Sequence, residues 1–348
     1  MTLLTLDWIF ILEKFILIAV IILSSLLIAM YSTYAERKIA AVMQDRRGPN
    51  RAGPMGLLQP VADGIKLFFK EEIIPNTSNK FLFILGPSLA MLTAMMTCAV
   101  IPWGNKLELF GQSITLQIAD INIGILYVFG VVSLGVYGIM IGGWSSNNKF
   151  SLMAALRGAS QVISYELAMG LALIALLMLS GSLSMKTIVE QQMNGIWNII
   201  YQPLGFLIFF VCALAECNRA PFDLPEAESE LNMGYHQEYS SMKLGFYLFA
   251  EYINMFISSA IMVTLFFGGY DVPFWNESAH SDWGNWLALI GLVSLMVKIT
   301  FFIFLFMWIR WTLPRFRYDQ LMNLGWKSLI PLALVNMLAT GAFILWKG

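Results

Sequence analysis

Residues 215–230 read AECNRAPFDLPEAESE. An apolar run ends at Leu214, and Pro221 and Pro225 then interrupt any continuous helix. Arg219 is the only base among a group of acids: Glu216, Asp223, Glu226, Glu228 and Glu230. The pattern predicts a bent acidic loop that follows a membrane helix. Because carboxylates held close together favour one another's protonation, we expect some of these groups to titrate near neutral pH.

The composition is that of a membrane protein. The 348 residues are 58% hydrophobic and 12% charged, with a mean hydropathy of +0.70, whereas soluble domains carry about 25% charged residues. A net charge of −1 suggests no nucleic-acid partner. The three cysteines follow no metal-ligand spacing, and no paired histidines lie in the apolar segments. We therefore expect neither a metal nor a redox centre in this chain.

Eight apolar segments are long enough, or nearly so, to cross about 30 Å of hydrocarbon as helices. The sequence predicts an all-α polytopic membrane protein, with 1–348 as a single membrane domain. The predicted spans lie near 8–34, 81–103, 119–144, 161–180, 199–216, 245–267, 286–309 and 329–346.

Loop charge predicts the orientation of these spans. Lys and Arg number 16 in one set of loops, near 36–80, 145–160, 217–244 and 310–328, and only 2 in the three loops of the opposite set. Basic loops remain on the cytoplasmic side, so the first set is predicted to be cytoplasmic and both termini extracytoplasmic.

The first basic loop combines a turn-rich segment with an amphipathic helix. Gly and Pro surround Arg46, Arg47 and Arg51, which predicts a tight loop. Apolar residues then recur at helical spacing over 57–70, with Asp63, Lys66 and Lys70 on the opposite face. This pattern predicts an interfacial helix, which serves either as a membrane anchor or as part of a ligand site.

Three acids lie in or at the ends of the predicted spans. Glu166 and Glu251 each fall about six residues into a span, roughly 9 Å below its cytoplasmic end. Glu216 closes the fifth span, with Arg219 as a plausible counter-charge. Ionisable residues inside a membrane are costly and indicate function, the alternative being a packing pair with a base. Lys298 is the only deep lysine and cannot neutralise all three.

The last basic loop, 310–320, places arginines beside aromatic residues. This pattern fits either an anchor to lipid headgroups or a docking surface and counter-charge for the acidic loop.

Together these motifs resemble one family: the quinone-chamber membrane subunit of respiratory complex I, which is the H subunit, or subunit 1, of NADH:quinone oxidoreductase. Two departures are Cys217, where the family usually has Thr, and Asn232-Met233 after Glu230-Leu231. The motifs that carry the resemblance run in order along the chain: Glu36-Arg37-Lys38, Arg47-Gly48-Pro49-Asn50 through Glu71, Ser164-Tyr165-Glu166, Ala215-Glu216 through Leu231, Ala250-Glu251-Tyr252, and Leu313-Pro314-Arg315 through Trp326-Lys327.

The resemblance implies that the chain is a subunit of a proton-translocating enzyme and carries no catalytic residue or metal of its own. It would admit quinone (ubiquinone or menaquinone) to a chamber formed with peripheral subunits. The residues implied for this chamber are Glu36, Arg37, Arg46, Arg47, Arg51, Asp63, Lys66, Arg219 and Phe222. An acidic funnel would couple quinone reduction to proton translocation through Glu166, Glu216, Asp223, Glu226, Glu228, Glu230 and Glu251.

The implied partners hold the cofactors. NADH, FMN and iron–sulfur clusters would belong to other subunits, and small membrane subunits and antiporter-like subunits would adjoin this chain. The implied location is a bacterial inner membrane, or less plausibly an organellar one. Two alternatives stay open: the equivalent subunit of a related membrane-bound hydrogenase or dehydrogenase complex, and a stand-alone ion transporter.

Overall fold

The computed structural model describes residues 8–109, 112–193, 195–273, 275 and 284–347. One antiparallel hairpin, β1 (Lys106–Leu109) and β2 (Gln112–Thr115), lies between two helices. The remaining elements are helical: α1 (Trp8–Met43), α2 (Gln59–Phe69), α3 (Lys80–Thr97), α4 (Gly124–Ser145), α5 (Lys149–Ser180), α6 (Met185–Met193), α7 (Asn198–Tyr201), α8 (Pro203–Glu216), α9 (Glu228–Leu231), α10 (Ser241–Phe266), α11 (Asn285–Thr312), α12 (Tyr318–Asn323), a π-helical turn (Leu324–Leu329) and α13 (Ile330–Lys347), with 3-10 turns at Pro54–Gly56, Cys98–Val100 and Gly234–His236.

The predicted fold class is confirmed. Within the described ranges, seven helical stretches are long and apolar enough to cross a membrane: Phe10–Met43, Lys80–Val100, Gly124–Ser145, Lys149–Ser180, Ser241–Phe266, Asn285–Thr312 and Tyr318–Trp346. The fifth predicted span is α8, which has only 14 residues and is therefore about 21 Å long. The amphipathic helix predicted over 57–70 is α2.

Two helices extend beyond their predicted bounds. α5 begins at Lys149, where the Asn148 side chain accepts a hydrogen bond from the Phe150 N–H, so most of the segment predicted as loop 145–160 is helical. Glu166 therefore lies in the middle of α5 and not near its start. Hydropathy missed this part of the helix because it contains Arg157, whose side chain pairs with Glu230 at 2.7 Å.

α1 likewise continues to Met43, so that Glu36 and Arg37 lie on a helix and not in a loop. Their side chains therefore project from a rigid element in fixed directions, one buried and one exposed. This matters for the site, because α1 provides one of its walls.

α10 packs among α1, α3, α8 and α11 at the centre of the molecule. Its Tyr247 reaches α4 because Gly142 has no side chain: a Cβ there would lie 2.0 Å from the Tyr247 hydroxyl oxygen. The hydroxyl donates to the Gly138 carbonyl oxygen at 3.1 Å. Small residues that allow such close approach are typical of helix contacts in membranes.

The C-terminal end of α10 is held by side chains from other segments. Lys298 of α11 donates to the backbone oxygens of Phe267, Gly269 and Asp271 at 2.8, 3.0 and 2.6 Å. Gln192 accepts from the Gly268 N–H at 3.0 Å. Helix ends leave carbonyls unsatisfied, and a cation there also favours the helix dipole. Lys298 thus holds the end of α10 remote from the acidic loop.

Candidate functional site

An open cleft with an empty volume of about 1320 Å³ lies between α1, α2, α10 and α11. It brings together six residues predicted for the site, from three separate parts of the sequence. Apolar side chains, including Met30, Leu248 and Phe249, complete the walls. The predicted residues in the lining are Glu36, Arg37, Asp63, Lys66, Arg219 and Glu226.

Ion pairs join α1 to α2 at the edge of this cleft. Arg37 contacts Asp63 at 2.7 Å, and Lys66 lies 3.8 Å from the same carboxylate. The Arg37 side chain is half exposed, at 50%. Exposed pairs contribute about 0–1 kcal/mol, so this pair orients α2 against α1 more than it stabilises the fold.

Glu36 is the buried acid of the cleft. The Tyr252 hydroxyl donates to it at 2.7 Å, and Arg310 of α11 donates to its other carboxylate oxygen. The guanidinium of Arg219 lies 4.0 Å away. Three elements distant in sequence therefore converge on one carboxylate.

Arg219 is buried and lies between two acids. Its guanidinium is 4.0 Å from Glu36 and 3.2 Å from Glu251, and it stacks over the Tyr252 ring at 4.2 Å. The prediction that Arg219 pairs with Glu216 is wrong: its ion pairs in the described structure are with Glu36 and Glu251. Removing one partner of such a buried pair costs about 3–5 kcal/mol, because the other charge is left uncompensated.

A second, smaller cavity lies deeper among the helices. Glu216 and Glu251 both line it, together with the hydroxyl-bearing Thr93, Thr97 and Tyr235. The Tyr235 hydroxyl donates to Glu251 at 3.2 Å. One oxygen of Glu216 is buried without a hydrogen-bond partner among the described residues. Glu251 thus lies at the boundary between this cavity and Arg219.

Two acids of the loop differ in their proton affinity. Burial, followed by repulsion from Glu226, raises the pKa of Asp223 to about 7, although Arg315 opposes the shift. Burial also disfavours the charge of Glu226, but Arg219 and His236 outweigh it and hold the pKa of Glu226 below its usual range. The expectation that part of the acidic loop titrates near neutral pH is met at Asp223.

Glu166 is separate from the arginine cluster. It is half buried on α5 and accepts a hydrogen bond from Ser133 of α4. It is close enough to Glu216 for their charges to repel. Glu166 lies about one helical turn along α5 from Val162, which lines the deeper cavity.

Other predicted residues lie outside both cavities. Arg46, Arg47 and Arg51 are exposed in the turn after α1. Glu230 is exposed and pairs with Arg157. Phe222 is buried against Tyr165 and Phe316 and takes no part in the cleft lining. The side chain of Glu228 falls outside the described residues.

Comparison with known proteins agrees with this architecture. A family model described as NADH dehydrogenase matches residues 16–341. The chain is 66% identical to the NADH-quinone oxidoreductase H subunit 1 of Cytophaga hutchinsonii, over 97% of this chain and 98% of that protein. It is 63% identical to the NADH-quinone oxidoreductase H subunit of Flavobacterium johnsoniae, over 97% and 96% of the two chains.

The chain belongs to the NADH dehydrogenase family, as a complex I membrane subunit of the H type. A more distant relative, the NADH-quinone oxidoreductase H subunit 1 of Geobacter sulfurreducens, is 50% identical over 94% of this chain and 93% of its own. The resemblance inferred from the motifs is confirmed.

Several residues of the candidate site were not predicted from the sequence. Tyr252 follows Glu251 directly, and Arg310 lies in the last turn of α11, yet both converge on Glu36. Tyr235 contacts Glu251 from the loop. An aromatic hydroxyl beside an intramembrane acid, or an arginine at a helix end, is the signal that indicates such partners.

We predict that Asp223→Asn weakens the pH dependence of quinone reduction by the complex between pH 6 and 8. Because burial and repulsion from Glu226 raise the pKa of Asp223 to about 7, its carboxyl group keeps its proton up to about that pH and loses it as the pH rises further. The variant should behave at pH 8 as the wild type does at pH 6. Glu230→Gln, an exposed acid in the same loop, is the control, and identical wild-type and Asp223→Asn profiles would exclude the role.

Proposed function

We propose that this subunit admits quinone through the cleft and, with peripheral subunits, forms the chamber where quinone is reduced. We further propose that its buried acids couple that reduction to proton translocation. One observation carries both parts. The guanidinium of Arg219 contacts Glu36, which lines the cleft, and Glu251, which lines the deeper cavity.

This arrangement provides a route for electrostatic coupling. Reducing a quinone to a quinol takes two electrons and two protons, so the charge in the cleft changes during turnover. Charges 3–4 Å apart interact strongly when buried. A proton gained or lost near Glu36 would therefore change the electrostatic attraction between Glu36 and Arg219. Because Arg219 also lies beside Glu251, this change would alter the proton affinity of Glu251.

The cleft suits a substrate with a polar ring and a long apolar tail. Binding sites for small molecules are mostly apolar with a few placed polar groups. Here Met30, Leu248 and Phe249 provide the apolar surface, while Arg37, Asp63 and Tyr252 provide the polar groups. Two of the walls are the long apolar helices α1 and α11.

The deeper cavity continues the route away from the cleft. Glu251 and Glu216 line it, and Glu166 lies close to Glu216. These carboxylates would exchange protons as a group, with Asp223 and Glu226 at its loop end. Glu230 is exposed on the surface with Arg157 and is left out of the proposed group.

In this proposal the NADH site, FMN and the iron–sulfur clusters belong to partner subunits. Electrons would come from NADH through FMN and iron–sulfur clusters held there. The exposed Arg46, Arg47 and Arg51 are available to peripheral subunits. Glu166 is half exposed in an apolar helix, and a carboxyl group facing lipid is costly, so a small membrane subunit would cover it. Antiporter-like subunits would move the protons.

We predict that Arg37→Ala lowers NADH:quinone turnover roughly tenfold, as expected for loss of one charge-assisted contact. Electron transfer from NADH to ferricyanide should be unchanged, because the proposal places the redox centres in other subunits. The control is Lys106→Ala, which changes an exposed basic residue on the β1–β2 hairpin, outside the cleft. Equal loss of both activities in an assembled complex would refute the assignment.

We predict that Glu216→Gln leaves the complex assembled but lowers quinone reductase activity and proton pumping in proportion. The amide keeps the shape of the side chain and removes its ionisation. Glu216→Asp should retain more of both activities. Turnover and acidification of sealed membrane vesicles are measured together, with Glu230→Gln as control. Wild-type values for Glu216→Gln in both assays would make Glu216 a structural acid.

We also propose one membrane domain in a bacterial inner membrane, with both termini extracytoplasmic and loop 217–244 cytoplasmic. The basis is the 16-to-2 asymmetry of Lys and Arg between the two sets of loops. A cysteine placed at exposed Met233 should resist a membrane-impermeant thiol reagent in intact cells and react in inverted vesicles. Labelling in intact cells would reverse the topology.

A further inference from the structure

Gln161 of α5 is fully buried and joins α5 to the acidic loop. Its amide nitrogen donates hydrogen bonds to the backbone oxygens of Ala215 and Phe222, both at 2.8 Å. A longer contact of 3.4 Å reaches the Asn218 side-chain oxygen. Gln161 is not among the residues predicted from the sequence for the site, and the proposed function does not use its side chain.

The two carbonyls that Gln161 binds are the ends of one bend. Ala215 is the next-to-last residue of α8, and the Phe222 N–H closes a turn onto the Arg219 oxygen at 2.8 Å. The opposite side of the bend is held by the Phe316 N–H, which donates to the Pro221 oxygen at 3.1 Å. Gln161 thus fastens both ends of the bend to a single point on α5.

This bend carries two charged groups of the proposed route. Glu216 lies directly after the first fastened carbonyl, and Arg219 lies between the two. Arg219 is buried, so the strength of its contacts with Glu36 and Glu251 depends steeply on distance. A shift of the bend would change both contacts at once.

The side-chain oxygen of Gln161 gives a second observation. Its oxygen is buried and has no hydrogen-bond partner in the part of the chain that the structure describes. An unsatisfied buried acceptor is costly. An apolar side chain of similar size would avoid this cost but would form neither of the two donated hydrogen bonds. Those two bonds are therefore what a glutamine contributes at position 161.

We propose that Gln161 is a positioning residue of the coupling route: it holds the 215–222 bend so that Arg219 stands between Glu36 and Glu251. The inference rests on the proposed function, because it assigns Gln161 to the placement of groups that the proposal uses. Gln161 itself contacts neither Arg219 nor the two acids in the bonds described above.

The test compares two substitutions in the intact complex in native membranes. Gln161→Met keeps the approximate volume but removes the donor. Gln161→Asn keeps the donor on a side chain shorter by one carbon–carbon bond, so it restores part of the contact. We expect kcat for NADH:quinone reduction, per assembled complex, to fall roughly tenfold in Gln161→Met and less in Gln161→Asn. The quinone KM should change by less than about twofold.

The matched control is Gln202→Met. Gln202 is also buried, but it directly precedes α8, at the end of that helix opposite to the bend. Its amide donates to the Thr340 side chain and accepts from Asn336, both on α13. Its substitution should leave kcat per assembled complex unchanged. A fall of the same size in the control would show that any buried glutamine matters equally, and would overturn the inference.

Glu216→Gln is measured beside these variants to separate the two proposals. If Glu216→Gln loses turnover while both Gln161 variants match the wild type, the positioning role is overturned and the proposed function stands. If neither Glu216→Gln nor Gln161→Met changes turnover, both fail. Equal kcat values in Gln161→Met and Gln161→Asn would also contradict the role, because the donor would then have no effect.

Discussion

The rest of the site depends on the burial of one positive charge, that of Arg219. A guanidinium removed from water needs nearby counter-charges, or its burial costs several kcal/mol. Glu36 of α1 and Glu251 of α10 provide them, at 4.0 and 3.2 Å. The bend, α1 and α10 must therefore meet at one place. In a membrane, where apolar packing alone distinguishes poorly between arrangements, such a cluster helps to specify how the helices pack.

The position of this cluster also separates the two cavities. Glu36 faces the cleft between α1, α2, α10 and α11, and Glu251 faces the deeper cavity that Glu216 also lines. The two cavities are therefore connected through Arg219, which lies between Glu36 and Glu251. Lys298 meanwhile donates to three backbone oxygens just after the far end of α10, the helix that carries Glu251.

Most of the helices could be predicted because the signal is local. An apolar run of sufficient length predicts a span, and the alternation in α2 predicts an interfacial helix. The start of α5 could not be predicted in the same way. Arg157 and Gln161 form contacts with other parts of the protein, whereas a hydropathy window averages over all faces of a helix. The same averaging made α8, with 14 residues, resemble a full span.

The sequence by itself determined the membrane class, the approximate spans, the family and which acids are candidates for the proposed coupling route. Only the tertiary structure decided which acid meets which base. Arg219 lies three residues from Glu216 in the sequence, yet it pairs with Glu36 and Glu251. The physical reason is that hydropathy and charge can be summed along neighbouring residues, whereas an ion pair between distant segments exists only once packing sets the distance between its atoms.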